Sequence, residues 1–567
     1  MSLKNSINNG QEFELSRVEL LNLLEKAPRG IKTYISHLEK QIKNFSDIGL
    51  SLSKEKDMNI LLEKILLEAK RITNADGGTL YMRTNDNSLR FEIMMTDSLN
   101  FHMGGTSGKD IPFYPIKLYN DDGEPNETMI AAYVALTGKT VNIPDAYEAE
   151  GFDFSGMKAF DEKTGYRSKS FLTVPLKNHE DEIIGVLQLL NAQGKKTGEV
   201  VPFSSDIQEL VESLSSQAAV AVTNKNLIRD LEVLFESFIK LIASAIDAKS
   251  PYTGGHCSRV PEITMMIAEA VNDSQNEHFK DIHFNEKELY ELKIAAWLHD
   301  CGKVATPEYV VDKATKLETI YDRVHTVETR FEVLKRDYEI NYLKQQLKIE
   351  KNQSLSQKEL KDALKVIRDT YKEQLEHLND DRTFVKEINV GGEFMSGDKK
   401  DRVKKIAEYQ WNDNGEKKNF LSDDEIKNLC IAKGTLTAEE RKIINDHIVH
   451  TIDMLQQLPY PKHLKNVPEF AGGHHEKLDG TGYPLGLTND EMSIQAKAMA
   501  IADVFEALTA KDRPYKEGKA LSMAMRIMGF MKNDAHVDPY LFDLFVQEKI
   551  YLKYAEKYLS EEQLDMD

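Results

Sequence analysis

The chain has 567 residues, too many for one hydrophobic core, so two or three domains are predicted. It is 41% hydrophobic and 29% charged, and its net charge of −20 disfavours DNA and general nucleic-acid binding. No apolar run approaches the roughly 18 residues of a membrane span and no secretory leader is recognisable, so the expected location is cytoplasmic, without membrane insertion.

Residues 1–45 are polar at first and then helical, with Val18, Leu21, Leu24, Ile31, Ile35 and Leu38 at helical spacing. This N-terminal helical segment suits a free arm or a dimer contact. From 46 to 203 the pattern is α/β. A helix is expected over 58–72, then a turn at Gly77-Gly78 leading into a strand through Leu80. Further strands are expected at 89–95, 140–143, 170–176 and 182–190, the last two joined by a polar hairpin. A helix should begin at Ser205, with a capping box to Gln208. Apolar residues then recur at three-and-four spacing from Ile207 to Ala245, and neither Gly nor Pro interrupts 203–250. That predicts a continuous signalling helix over 204–248, pairing with its copy in a homodimer or packing on its own chain.

Within the α/β region, Phe171-Leu172-Thr173-Val174-Pro175-Leu176 and Gly185-Val186-Leu187-Gln188-Leu189-Leu190-Asn191 resemble the closing strands of a GAF domain. The resemblance covers roughly 50–222 and implies an antiparallel sheet with flanking helices and a pocket for a small-molecule ligand. Phe160, Asp161, Glu162 and Lys158 echo the signature of cyclic-nucleotide members, but its Asn and its spacing are missing. Phe160, Tyr166 and Arg167 are the candidate pocket residues, although Gly165-Tyr166 also suits a plain turn before a strand.

Beyond the signalling helix the chemistry concentrates in histidines and aspartates. His256 follows a Gly-Gly pair, and His299-Asp300 ends an apolar helix. His447, the pair His474-His475 and Asp503 come later. A carboxylate beside an imidazole at the end of an apolar stretch is costly to bury unless positive charge sits there. Imidazole and carboxylate donors without thiolate suit iron, manganese or zinc, and this many ligands suit a two-metal centre. The three cysteines, Cys257, Cys301 and Cys430, are too few and scattered for a disulfide framework or a thiolate site.

His299-Asp300-Cys301-Gly302-Lys303, with His474-His475-Glu476-Lys477-Leu478-Asp479-Gly480-Thr481-Gly482-Tyr483-Pro484, resembles the HD-GYP domain. That resemblance implies an all-helical, metal-dependent phosphodiesterase domain over 249–567 that hydrolyses cyclic di-GMP in bacterial second-messenger signalling. It implies His256, His299, Asp300 and Asp503 on one metal, and Asp300, His447, His474 and His475 on the other, with Asp300 bridging. Lys303 would lie over the scissile phosphate, and Arg513 and Lys516 would grip the substrate phosphates. The product would be linear pGpG, with GMP after a second cut. Two divalent metals are expected, iron or manganese ahead of zinc, because Tyr252 stands where some members place a Glu for a third. The stretch from Asp503 to Arg513 is one residue longer than the commonest form, with Lys511 inserted. The 480–484 loop, with Gly480 and Tyr483, is a candidate for guanine recognition or for docking a protein partner. It also suits a rigid connection between helices.

The family pattern is interrupted by an insertion over 318–433. Ile320, Val324, Val327, Phe331, Leu334 and Tyr338 make one apolar stripe, and Leu364, Ile367, Tyr371, Leu375 and Leu378 another, so a helical hairpin or a coiled-coil arm is expected. It is a second candidate surface for a protein partner. His325 competes with His447 as a ligand, but only His447 follows Leu436-Thr437-Ala438-Glu439-Glu440 at the family's spacing. His450 is expected on a helix surface. Two alternatives stand beside cyclic di-GMP hydrolysis: hydrolysis of mixed cyclic GMP-AMP, and a catalytically weak module that binds a cyclic dinucleotide.

Overall fold

A computed structural model describes residues 28–249, 255–392, 394–511 and 518–566. Val18, Leu21, Leu24, Tyr252, Arg513 and Lys516 therefore lie outside the described residues. The chain divides into two compact units between Val233 and Leu234.

In the first unit eight strands form one sheet: β1 (Ala75–Arg83), β2 (Ser88–Thr96), β3 (Phe101–Gly104), β4 (Ile116–Lys117), β5 (Val141–Ile143), β6 (Phe171–Lys177), β7 (Ile183–Gln193) and β8 (Val200–Val201). Their order is β3-β2-β1-β7-β6-β5, with β4 on β2 and β8 on β7, and neighbours run antiparallel. Alternation along the strands sends Leu80, Leu187 and Leu189 to one face and Tyr81 and Val186 to the other. The helix Met58–Thr73 covers the first face with Leu62, Ile65 and Leu66, joined by Leu214, Ala218 and Val222 from the helix Ser205–Lys249. Asp57 caps the first of these helices by accepting the Ile60 N–H at 3.0 Å.

Two local expectations need correction. Gly77 and Gly78 are not a turn but lie inside β1. A Cβ at Gly78 would come within 2.7 Å of Leu66 Cδ1, so the glycine lets the helix lie close on the strand. The capping box from Ser205 does not form. The Ser204 hydroxyl accepts the Ile207 N–H at 3.4 Å, while the Gln208 amide oxygen takes the Asn142 amide N–H at 3.1 Å.

Ser205–Lys249 is one helix of 45 residues. Its later apolar residues Leu227, Leu231, Leu234, Phe238 and Leu241 are exposed.

The second unit is predominantly helical. His256–Asp273, Glu286–Leu298 and Ile494–Thr509 share a core of Val260, Ile263, Leu292, Ala295, Ile501 and Phe505. Phe505 meets Phe545 and Tyr554 edge-on at 5.1 and 5.5 Å. Each fully buried aromatic of this kind stabilises the fold by on the order of 2–3 kcal/mol.

Within the insertion, the helices Val324–Glu350 and Gln357–Asn389 form a hairpin. Tyr342 stacks on Tyr371 at 4.8 Å, and Arg382 reaches back to Glu328 and Glu332 at 2.9 Å. Val327, Phe331 and Leu334 bury against Leu378, Val385 and Phe420. Ile320 does not belong to that stripe: it is 97% exposed, because the helix starts only at Val324, whose N–H bonds Asp322. Nor is the insertion purely helical. Strands Gln410–Asp413 and Glu416–Asn419 pair across Asn414-Gly415, whose φ angles of 50° and 90° are the left-handed values an Asn-Gly hairpin turn favours. Among the described residues, no helix is long and apolar enough to cross a membrane.

Candidate metal centre

The helix Glu286–Leu298 runs directly into His299 and Asp300, and the tight turn Cys301–Ala305 then presents Lys303. Gly302 is the packing point of this turn. A Cβ there would lie 1.9 Å from the His447 carbonyl oxygen, and its N–H donates to Thr451 Oγ1 at 2.9 Å. His447 opens the helix His447–Gln456, just after Ala438–Asn445 with its Thr437/Glu440 capping box. Lys313, fully buried, grips both oxygens of Glu440 at 2.8 Å and anchors that cap. His474 and His475 follow the short helix Val467–Gly472, while Asp503 projects from Ile494–Thr509. His256 opens its own helix after Gly255 at φ 86°.

These side chains converge. His256 Nε2 lies 3.2 Å from Asp300 Oδ2 and 3.3 Å from Asp503 Oδ1, and 3.3 Å from His299 Nε2. His447 Nε2 lies 3.2 Å from Asp300 Oδ1, so the two oxygens of one carboxylate face different histidines. Donor atoms of His256, His299 and Asp300 form one compact trio, and those of His447, His474 and His475 a second, each within 4.8 Å. Lys303 Nζ sits on Asp300 Oδ2.

Four of the five rings are held by the far nitrogen. His299 Nδ1 bonds the Ala296 carbonyl at 2.7 Å and His474 Nδ1 the Ala471 carbonyl at 2.6 Å, and His447 Nδ1 bonds Ile444 O. A proton held on Nδ1 leaves Nε2 as a bare donor facing the centre. His256 uses the Glu506 carboxylate instead, and Arg259 holds Glu506 through Nε at 2.7 Å.

The electrostatics follow from burial. Burial and the neighbouring His475 and His299 push His474 far below the ordinary imidazole range. Burial takes His475 down to about 4 against the pull of Asp503. Both rings are therefore neutral, the form that binds a cation. Burial would raise Asp300, but Lys303, His299 and His256 more than offset it and keep the carboxylate ionised. Asp300 Oδ1, His447 Nε2 and His474 Nε2 are buried without a hydrogen-bond partner. Each such group costs about 1–3 kcal/mol. A divalent cation satisfies all three, so the donor set fits a metal.

The following loop is shaped from beneath. Glu476, 1% exposed, accepts the N–H groups of Leu485 at 2.7 Å, Gly486 at 3.2 Å and Leu487 at 3.0 Å. Gly482 crosses so close that a Cβ would lie 2.4 Å from Glu476 Cα. Tyr483 stacks on His475 with ring centres 4.9 Å apart. Gly480 stays out of this cluster and serves as a turn at φ 75°. His325 is exposed on the insertion, where it faces Glu328 at 3.6 Å, and His450 is exposed on its helix. Glu506, Arg259 and Glu476 are not recognised as site residues by sequence reasoning. Glu506 carried one usable signal, its place one helical turn after Asp503.

The first unit holds a separate cavity of about 450 Å³. Phe160 and Tyr166 line it together with Tyr81, Phe91, Phe113 and Met157. Arg167 does not: Tyr166 and Ser168 line the cavity, while Arg167 lies over the Tyr147 ring, 4.5 Å away.

Residues 57–222 match the family model described as GAF domain, and 253–385 and 423–541 match two models described as HD domain. The chain carries a GAF domain and an HD domain. A cyclic di-GMP phosphodiesterase of Pseudomonas aeruginosa is 45% identical over 114 residues, 20% of this chain and 26% of its own. A 3'3'-cGAMP-specific phosphodiesterase of Vibrio cholerae is 38% identical over 118 residues, 21% of this chain and 25% of its own. A cyclic di-GMP phosphodiesterase of Thermotoga maritima is 38% identical over 98 residues, 17% of this chain and 26% of its own. The chain thus spans about a quarter of the length of these curated relatives.

Proposed function

We propose that this GAF–HD chain is a metal-dependent phosphodiesterase that hydrolyses cyclic di-GMP to linear pGpG. The observation that carries the reading is Asp300, whose two carboxylate oxygens face His256 and His447, one from each donor trio. The names of the Pseudomonas and Thermotoga relatives support the substrate.

His256, His299, Asp300 and Asp503 would hold one divalent cation, and Asp300, His447, His474 and His475 a second, iron or manganese by donor type. Such a pair lowers the pKa of water to about 7 and stabilises charge on phosphoryl oxygens. The chain's own residues do the rest. The carbonyls of Ala296, Ile444 and Ala471 fix the tautomers, and Glu506 orients His256. Lys303, beside Asp300, brings a cation to the edge of the cluster, where it would offset charge on the scissile phosphate. Arg513 and Lys516 are assigned to the substrate phosphates by the family resemblance alone.

The mixed dinucleotide 3'3'-cGAMP is the second reading, favoured by the Vibrio relative's name. The GAF cavity is proposed to take a small-molecule regulator, and the exposed stripe Leu227, Leu231, Leu234, Phe238 and Leu241 to pair with its copy in a homodimer. The test is protein loaded with manganese or ferrous iron, incubated with each dinucleotide while linear products are followed. Turnover of neither would overturn the enzyme reading, and an Asp300→Ala variant with full activity would overturn the site.

A further inference from the structure

Beside the metal cluster lies a cleft of about 420 Å³, lined by Ala438, Arg441, Lys442, Asn445, Asp446 and Val449 on one side and Tyr483 and Pro484 on the other, with the Asp446 carboxylate taken up by Lys442. Resting on the phosphodiesterase reading above, we infer that this cleft holds one guanine base of the substrate and that Arg441 reads that base's O6/N7 edge.

Three observations carry it. Tyr483 connects the cleft to the cluster, because the ring that lines the cleft also stacks on His475 at 4.9 Å and 23°. A base placed against Tyr483 is thus one ring removed from a donor histidine, about the separation of base and phosphate within one nucleotide. Second, Arg441 and Asn445 are four apart on the helix Ala438–Asn445, so both present to the cleft from one face. Third, the two neighbouring cations differ. Lys442 is paired with Asp446 at 2.7 Å, whereas the exposed Arg441 guanidinium has no hydrogen-bond or ion-pair partner among the described residues.

The chemistry decides the base. A guanidinium offers two parallel N–H donors, and guanine presents two acceptors, O6 and N7, on one edge. Adenine presents N7 beside an N6 amino donor, which would face an N–H of the arginine. One cleft with one such reader asks for one guanine. It therefore accepts cyclic di-GMP in either orientation, 3'3'-cGAMP in one orientation, and cyclic di-AMP in none.

The test is calorimetric binding of cyclic di-GMP, 3'3'-cGAMP and cyclic di-AMP to full-length, metal-loaded protein, with turnover followed in parallel. The wild type should bind cyclic di-GMP at least about tenfold tighter than cyclic di-AMP. Arg441→Gln should narrow that ratio by about tenfold, since glutamine suits the adenine edge. Arg441→Lys should narrow it too, because it keeps the charge and loses the fork. Equal weakening toward all three ligands by Arg441→Gln, with Arg441→Lys like wild type, would make Arg441 a phosphate contact and overturn the inference. Unchanged ratios in both variants would overturn it as well. Dinucleotide binding without turnover in the wild type would overturn the phosphodiesterase reading while the binding ratios still judge Arg441.

Discussion

His256 and Glu506 stand 250 residues apart in the chain and share a buried hydrogen bond from the ring Nδ1 to the carboxylate. Burial alone would raise Glu506, but His256 and Arg259 more than offset it and keep it ionised. The carboxylate thereby aims His256 Nε2 between Asp300 and Asp503. Partners behind a metal-ligating histidine typically matter about 10–100-fold in metal affinity or activity. Glu506→Gln is expected to lose metal affinity by about that factor, read by metal titration, while the fold persists. Unchanged affinity would mean that the helix ends alone orient His256.

Metal binding should stabilise the second unit. With three buried donor atoms unpartnered and two rings held neutral, cation occupancy removes a standing cost. Manganese at 100 times its dissociation constant should add about 2.7 kcal/mol. The measurement is a thermal melt with manganese and then with excess chelator. His447→Ala and His474→Ala should each reduce the shift by removing the second cation's share, and a full shift in both would disprove their assignment.

Gly302 is the tightest contact of the site. A methyl group there would collide with backbone at His447 and Thr451, neither of which can give way as a flexible side chain would. Gly302→Ala should destabilise the unit by about 1–3 kcal/mol or more and lower activity together with metal content. Chemical denaturation and metal analysis would show both. A variant of wild-type stability and metal content would contradict the packing described.

Glu476 supports the 480–487 loop through three backbone N–H bonds, and its removal leaves those donors without an acceptor. Glu476→Ala should cost on the order of 1–3 kcal/mol locally. Hydrogen exchange over 485–487 should accelerate, and KM for the dinucleotide should rise through displaced Tyr483. Slow exchange at those amides in the variant would show that other contacts hold the loop.

Local chemistry was legible from the sequence wherever it depends on neighbours in the chain. Alternation marked β2, β5, β6 and β7, and the absence of Gly and Pro marked the 45-residue helix. Adjacent residue types, His299-Asp300 and His474-His475, marked the metal chemistry. Errors arose where one residue type serves two ends. Gly77-Gly78 looked like a turn and is a packing surface, and Asn414-Gly415 turns a hairpin inside a stretch expected to be helical.

What the tertiary structure alone decided are contacts that no periodicity announces. The pairing of His256 with Glu506, the cradle Glu476 makes for the loop after the histidine pair, and the cleft between Arg441 and Tyr483 all join residues brought close by helix packing. Local propensity and pattern act over a turn or two of chain. A site assembled across 256–506 is set by which helix faces bury together, and that is a property of the folded core.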